Sequence, residues 1–129
     1  MVSRIRQIAV AVADLEASKH FYRDQLGLKL LFEAAPSLAF FDCDGIWLML
    51  SAANEKEPAQ PGSVLYFETR DIRAEYAELK GRGITFVDEP HLVADIGDRE
   101  LWMTFFKDPD GTVLALRAEI AKPEAKKGG

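Results

Sequence analysis

The chain has 129 residues, of which 48% are hydrophobic and 29% charged, with 16 basic side chains against 21 acidic ones for a net charge of −5. This composition fits one packed globular domain, or two small repeated halves, and excludes a disordered chain. The acidic balance argues against a binder of phosphate backbones, so no nucleic-acid partner is expected. The single cysteine, Cys43, rules out an internal disulfide and a thiolate zinc cluster. No apolar run reaches the length of a membrane-spanning helix, and Met1-Val2-Ser3-Arg4-Ile5-Arg6 lacks the apolar stretch of a signal peptide. A cytoplasmic protein with no membrane partner is the expectation.

In Ile8-Ala9-Val10-Ala11-Val12, β-branched residues alternate with alanine, the pattern of a strand with two unlike faces. Asp14 offers a carboxylate that can cap a helix. Leu15, Phe21, Tyr22 and Leu26 mark the stripe of that helix and Gly27 ends it. Strands are predicted at 29–33, 38–42 and 46–50, separated by Pro36 and an Asp44-Gly45 turn. Residues 52–62 carry alanine, proline and glycine with no apolar periodicity and read as a linker.

The pattern then starts again. A strand is predicted at 64–69, with Asp71 as a second cap. Ile72, Tyr76 and Leu79 form a second helical stripe, ended by Gly81 and Gly83. Strands follow at 84–87, 100–106 and 112–116. Asp71 lies 57 residues after Asp14, Gly83-Ile84 lies 56 after Gly27-Leu28, and Asp110-Gly111 lies 66 after Asp44-Gly45. The second copy has therefore gained about ten residues, expected as a loop over 88–98. The fold class is α+β, with two βαβββ repeats at about 4–51 and 63–118 in a single domain, 1–120. A flexible tail, 121–129, follows.

Three phrases in this order carry a family likeness: Val12-Ala13-Asp14-Leu15-Glu16-Ala17-Ser18, Phe21-Tyr22-Arg23-Asp24-Gln25-Leu26-Gly27 and Phe106-Lys107-Asp108-Pro109-Asp110-Gly111. With the repeat, they make the chain resemble the vicinal oxygen chelate superfamily of glyoxalase I, bleomycin-resistance proteins and extradiol dioxygenases. The resemblance implies mixed sheets that curl into an open barrel around a cleft, and commonly a homodimer. The Asp-Pro-Asp-Gly phrase is in itself a tight-turn signal, with proline presetting φ and glycine tolerating a positive one.

Metal-dependent relatives hold a divalent ion with residues of the first and last strand of each copy, and the resemblance maps those positions to Gln7, Met49, Val64 and Ala115. Only Gln7 offers an oxygen, while valine and alanine have no lone pairs and a thioether suits a hard ion poorly. Neither a metal nor a cofactor is expected. His20 falls on the first helix, and His91 falls in the acidic loop with Asp88, Glu89, Asp95 and Asp98. That loop reads as a solvated charge run, with a loop-borne metal site as the alternative.

By period two, Gln7, Ala9 and Ala11 share a face with Trp47, Met49 and Ser51, and Val64, Tyr66 and Glu68 with Val113, Ala115 and Arg117. The alanines would open space and the aromatics would wall it, the profile of a small-molecule pocket. Gln7, Trp47, Met49, Val64, Tyr66, Trp102 and Ala115 are the expected ligand-binding residues, although the sequence leaves the face of Trp102 open. Arg117 should lie near Tyr66 and diagonal to Glu68, as a structural ion pair or as an anion grip with Glu68 as base. The expected function is metal-independent sequestration of a hydrophobic or aromatic small molecule. The alternative is a glyoxalase- or dioxygenase-like enzyme acting on a carbonyl or enolizable substrate, with Glu68 and Arg117 as catalytic residues.

Overall fold

The computed structural model describes residues 4–34, 37–53 and 64–122, so Pro36, most of the expected linker and residues 123–129 lie outside the described residues. The chain divides into two compact units: Met1–Gly62 with Asp108–Thr112, and Ser63–Lys107 with Val113–Gly129.

The first unit runs β1 (Gln7–Val12), α1 (Leu15–Lys19, continuing as a π-helical stretch His20–Gln25), β2 (Lys29–Ala34), β3 (Leu38–Cys43) and β4 (Ile46–Ala52). Its sheet has the order β1-β4-β3-β2, with β1 parallel to β4 and the other pairs antiparallel. Asp14 is extended and accepts the Ala17 N–H at 3.2 Å, satisfying one orphan donor of α1. The widened turn that follows is visible where the Leu26 N–H donates to the Phe21 carbonyl at 2.8 Å, five residues back. Within that stretch the adjacent Phe21 and Tyr22 are both buried, edge to face with ring centroids 5.0 Å apart. Val12, Phe41, Leu48 and Leu50 are buried on the helix-bearing side of the sheet, while Trp47 and Met49 alternate out of that core. The β3–β4 hairpin turns through Asp44 (φ 54°) and Gly45 (φ 97°), two consecutive left-handed residues as a type I′ turn requires.

The Asp-Pro-Asp-Gly turn of the second repeat is part of this first unit. Asp108 is buried, and its carboxylate accepts the Tyr22 hydroxyl at 2.9 Å and the N–H groups of Asp110 and Thr112 at 2.9 and 2.8 Å. Asp110 in turn accepts the Ala13 N–H at 3.2 Å. Burial first, and the neighbouring Asp108 carboxylate second, push the Tyr22 phenol far above its ordinary range. All three family-like phrases thus meet at one hydrogen-bonded junction.

The second unit runs β5 (Leu65–Glu68), α2 (Ile72–Gly81), β6 (Thr85–Phe86), β7 (His91–Asp95), β8 (Arg99–Lys107) and β9 (Val113–Ala121). Its order is β5-β9-β8-β6, with β5 parallel to β9 and β7 also pairing with β8. Asp71 caps α2 through the Ala74 N–H at 3.1 Å, and Ile72 and Leu79 are buried beneath the helix.

Two expectations are corrected here. The inserted residues do not form a loop over 88–98, because β7 pairs with β8 along the edge that β6 also uses. β6 and β7 together occupy the place that β2 holds in the first unit. The break between them has a physical cause. Pro90 has no N–H to donate, and the Asp88 side chain takes over the pairing, accepting the Thr104 hydroxyl at 2.9 Å and the Phe105 N–H at 2.8 Å. In addition, β9 continues past 118 to Ala121, and the Lys122 N–H donates to the Asp98 carbonyl at 3.0 Å. Among the described residues no helix is long and apolar enough to cross a membrane.

Candidate functional site

On the helix-free face of the first sheet, Gln7 is paired in register with Trp47, Ala9 with Met49 and Ala11 with Ser51. The β3–β4 ladder adds Phe40 opposite Met49, and the β2–β3 ladder adds Phe32 opposite Phe40. The Phe32 and Phe40 rings stack at 4.5 Å with an interplanar angle of 16°. Trp47 stands nearly perpendicular to both, with centroids 5.4 Å from Phe32 and 5.6 Å from Phe40. The three rings form a corner. Phe40 is buried at its base, whereas Trp47 and Phe32 remain 39% and 42% exposed. Gln7 Nε2 donates to Met49 Sδ at 3.8 Å, a weak hydrogen bond between two residues expected at ligand positions.

Sequence reasoning missed Phe32 and Phe40. Phe40 was within reach, since a two-residue turn at Asp44-Gly45 sets Phe40 against Met49. Phe32 was not, because a register shift between Leu30 and Phe32 breaks the period-two count along β2.

The second sheet presents a different face. Tyr66 pairs with Ala115 and Glu68 with Arg117 along β5–β9, while Phe105 and Met103 lie opposite Ala115 and Arg117 on β8. Arg117 is therefore directly opposite Glu68 rather than diagonal to it, because the parallel register is one pair further along than expected. Its guanidinium donates to Glu68 Oε1 and to Glu119 Oε2, both at 2.8 Å, and Arg99 approaches Glu119 at 3.4 Å. The Arg117 guanidinium holds the Glu119 carboxyl below the usual carboxylate range. Glu68 is exposed over 66% of its side chain, which is the environment of a surface ion pair rather than of a desolvated base.

Two further site expectations are corrected. Ala115 opens no space, being wholly buried between Tyr66 and Phe105 in the register, with those rings edge to face at 6.1 Å. Trp102 is on the opposite side of its sheet from Tyr66. It pairs with Ala118, its ring lies under the Arg73 guanidinium of α2 at 5.3 Å, and its N–H donates to Glu100 at 3.1 Å. Val64 is half-buried, just before β5.

The donor set does not suit a resident metal. Gln7 turns its amide nitrogen to Met49, Val64 and Ala115 carry no donor atoms, and a thioether is a weak partner for a hard divalent ion. Among the described residues no group of three His, Cys, Asp or Glu side chains could hold an ion. His91 is occupied locally, its Nδ1 lying 2.9 Å from the Glu89 carbonyl and its ring stacking on Phe105, and His20 pairs with Asp24 at 2.9 Å. Burial, with Asp42 beside it, pushes the Cys43 thiol up to about 11, so it is no ready nucleophile.

Comparison with known proteins agrees with this architecture. The family model of the Glyoxalase/Bleomycin resistance protein/Dioxygenase superfamily matches residues 4–116. Metallothiol transferase FosB of Staphylococcus epidermidis is 31% identical over 124 residues, spanning 90% of this chain and 84% of that protein. The structure of TnmS3, an antibiotic binding protein from Streptomyces sp. CB03234, superposes with a TM-score of 0.71 at 27% identity, covering 91% of this chain and 96% of that one. A superfamily member from Sphaerobacter thermophilus DSM 20745 shares the fold with a TM-score of 0.77 at 24% identity, covering 91% and 98% of the two chains. With two sheets of one strand order, each carrying its aspartate-capped helix, the chain belongs to the glyoxalase/bleomycin resistance protein/dioxygenase superfamily.

Proposed function

We propose that the protein binds a hydrophobic or aromatic small molecule without the help of a metal, holding it on the ring-bearing face of the first sheet and sequestering it. One observation carries this reading: Trp47 and Phe32 stay substantially exposed at a three-ring corner, on the sheet face opposite a well-buried core. Exposed aromatics arranged as a corner offer a planar guest one ring face to stack on and one edge to abut. The likeness to TnmS3, an antibiotic binding protein, supports the same reading. The chemistry in FosB's name is not carried over, because the side chains at Gln7, Met49, Val64 and Ala115 do not make a metal shell. The enzymatic alternative through Glu68 and Arg117 is less well supported, since Arg117 is already held by two carboxylates. The same reading has the protein act in the cytoplasm as a homodimer, which sedimentation at micromolar concentration checks.

The test uses intrinsic fluorescence. The chain has two tryptophans, so Trp102→Phe leaves Trp47 as the only indole. Titration with planar aromatic probes should quench Trp47 emission saturably with a stoichiometry of one per chain. A response that grows linearly without saturation would count against the proposal.

A further inference from the structure

We infer that Gln7 selects ligands carrying a hydrogen-bond donor, with Met49 acting as the positioning residue that sets the orientation of the Gln7 amide; this rests on the binding reading above. The sulfur of Met49 sets the constraint. A thioether has lone pairs but no proton, so the only part of a glutamine amide that can face it favourably is the N–H side. The 3.8 Å contact from Gln7 Nε2 to Met49 Sδ is therefore an orienting contact, and it turns Oε1 away from the methionine. Among the described residues that oxygen accepts no hydrogen bond. Gln7 is exposed, directly opposite Trp47 in the β1–β4 register, on the sheet face that carries Phe32 and Phe40.

The Gln7 oxygen, an acceptor beside stacked rings, discriminates between guests, and Gln7→Leu separates its part from that of Asp42, which pairs with Trp47 on the same face. When an aromatic guest covers this face, the Gln7 oxygen loses its water, a loss recovered only if the guest donates an O–H or N–H in return. A phenol, an aniline or an indole-type N–H can do so. An ether of the same shape can only accept, which leaves Oε1 unpaired even where the second amide N–H donates to it, and a carboxylate set against Oε1 would place oxygen against oxygen. The ligand class is thereby narrowed to planar aromatics with a neutral donor near one edge.

The experiment compares 2-naphthol with 2-methoxynaphthalene by Trp47 quenching in the Trp102→Phe background. The ether is the more hydrophobic probe, so burial alone would favour it. The expected result is a preference for naphthol of roughly tenfold. Gln7→Leu should abolish or reverse that preference, and Gln7→Glu, which keeps an acceptor, should retain it. Met49→Leu, which keeps an apolar side chain but frees the amide to flip, should reduce it to about twofold. Saturable binding of both probes without preference, or a preference that survives Gln7→Leu, overturns this inference and leaves the binding reading intact. If neither probe binds saturably, the binding reading falls, and the selectivity falls with it.

Discussion

The two sheets follow one plan and present opposite chemistry. In both, the first strand pairs in parallel with the last and an aspartate-capped helix packs against one face. On the other face the first sheet offers Gln7, Met49 and a corner of three rings, two of them substantially exposed. The second has a charge chain, Glu68–Arg117–Glu119–Arg99, and a Tyr66–Phe105 contact closed over a buried alanine. Caps, turn residues and buried faces maintain the plan, so helix-free faces can diverge without cost to the fold. The equivalent turns differ too. Among the described residues Asp42 accepts only the N–H of its own turn's Gly45, at 3.2 Å, whereas Asp108 is buried and gathers three donors, including a tyrosine 86 residues away.

That contrast can be broken most severely at Asp108. Asp108→Ala strands a buried hydroxyl and two backbone N–H groups and should cost about 2–4 kcal/mol by chemical denaturation, while Asp42→Ala should cost under about 1 kcal/mol. Equal costs would contradict the asymmetry. Next in size is the ring corner. Trp47→Ala should weaken aromatic binding roughly tenfold, against no change for Tyr66→Ala on the second sheet, both read by calorimetry. Alkaline titration probes the Tyr22–Asp108 junction itself. The Tyr22 phenol is raised from an ordinary value of 10.0, so folded and unfolded chains hold its proton equally below that pH. Above it the unfolded chain ionises first, and stability should fall as pH rises past 10, with a shallower fall in Tyr22→Phe. The smallest effect is expected at the second face. Glu68→Gln removes half of an exposed ion pair and should shift stability by no more than about 0.5 kcal/mol.

Much of this was legible in the residues, for a physical reason in each case. Asp14 and Asp71 could be read as caps because their neighbours begin apolar stripes, and both accept the predicted kind of N–H. Strand alternation in β1 and β4 placed Gln7, Trp47 and Met49 on one face, and a two-residue turn left no slack in the hairpin register. What was hidden depends on partners distant in sequence, or on interrupted periodicity. The Tyr22–Asp108 bond joins two phrases that look like unrelated punctuation. The split outer strand depends on an Asp88 side chain doing the work of backbone. The face of Trp102 follows from its pairing with Ala118, and the connection over 108–112 is longer than a two-residue turn, so counting from it does not fix the register.

The ring corner is proposed to bind its guest without a metal. Calorimetric titration of an aromatic probe such as 2-naphthol, before and after exhaustive dialysis against a chelator, tests it most directly. The predicted result is an unchanged affinity at one site per chain, lost on Trp47→Ala. Affinity that vanishes with chelation and returns on adding a divalent ion would contradict the claim.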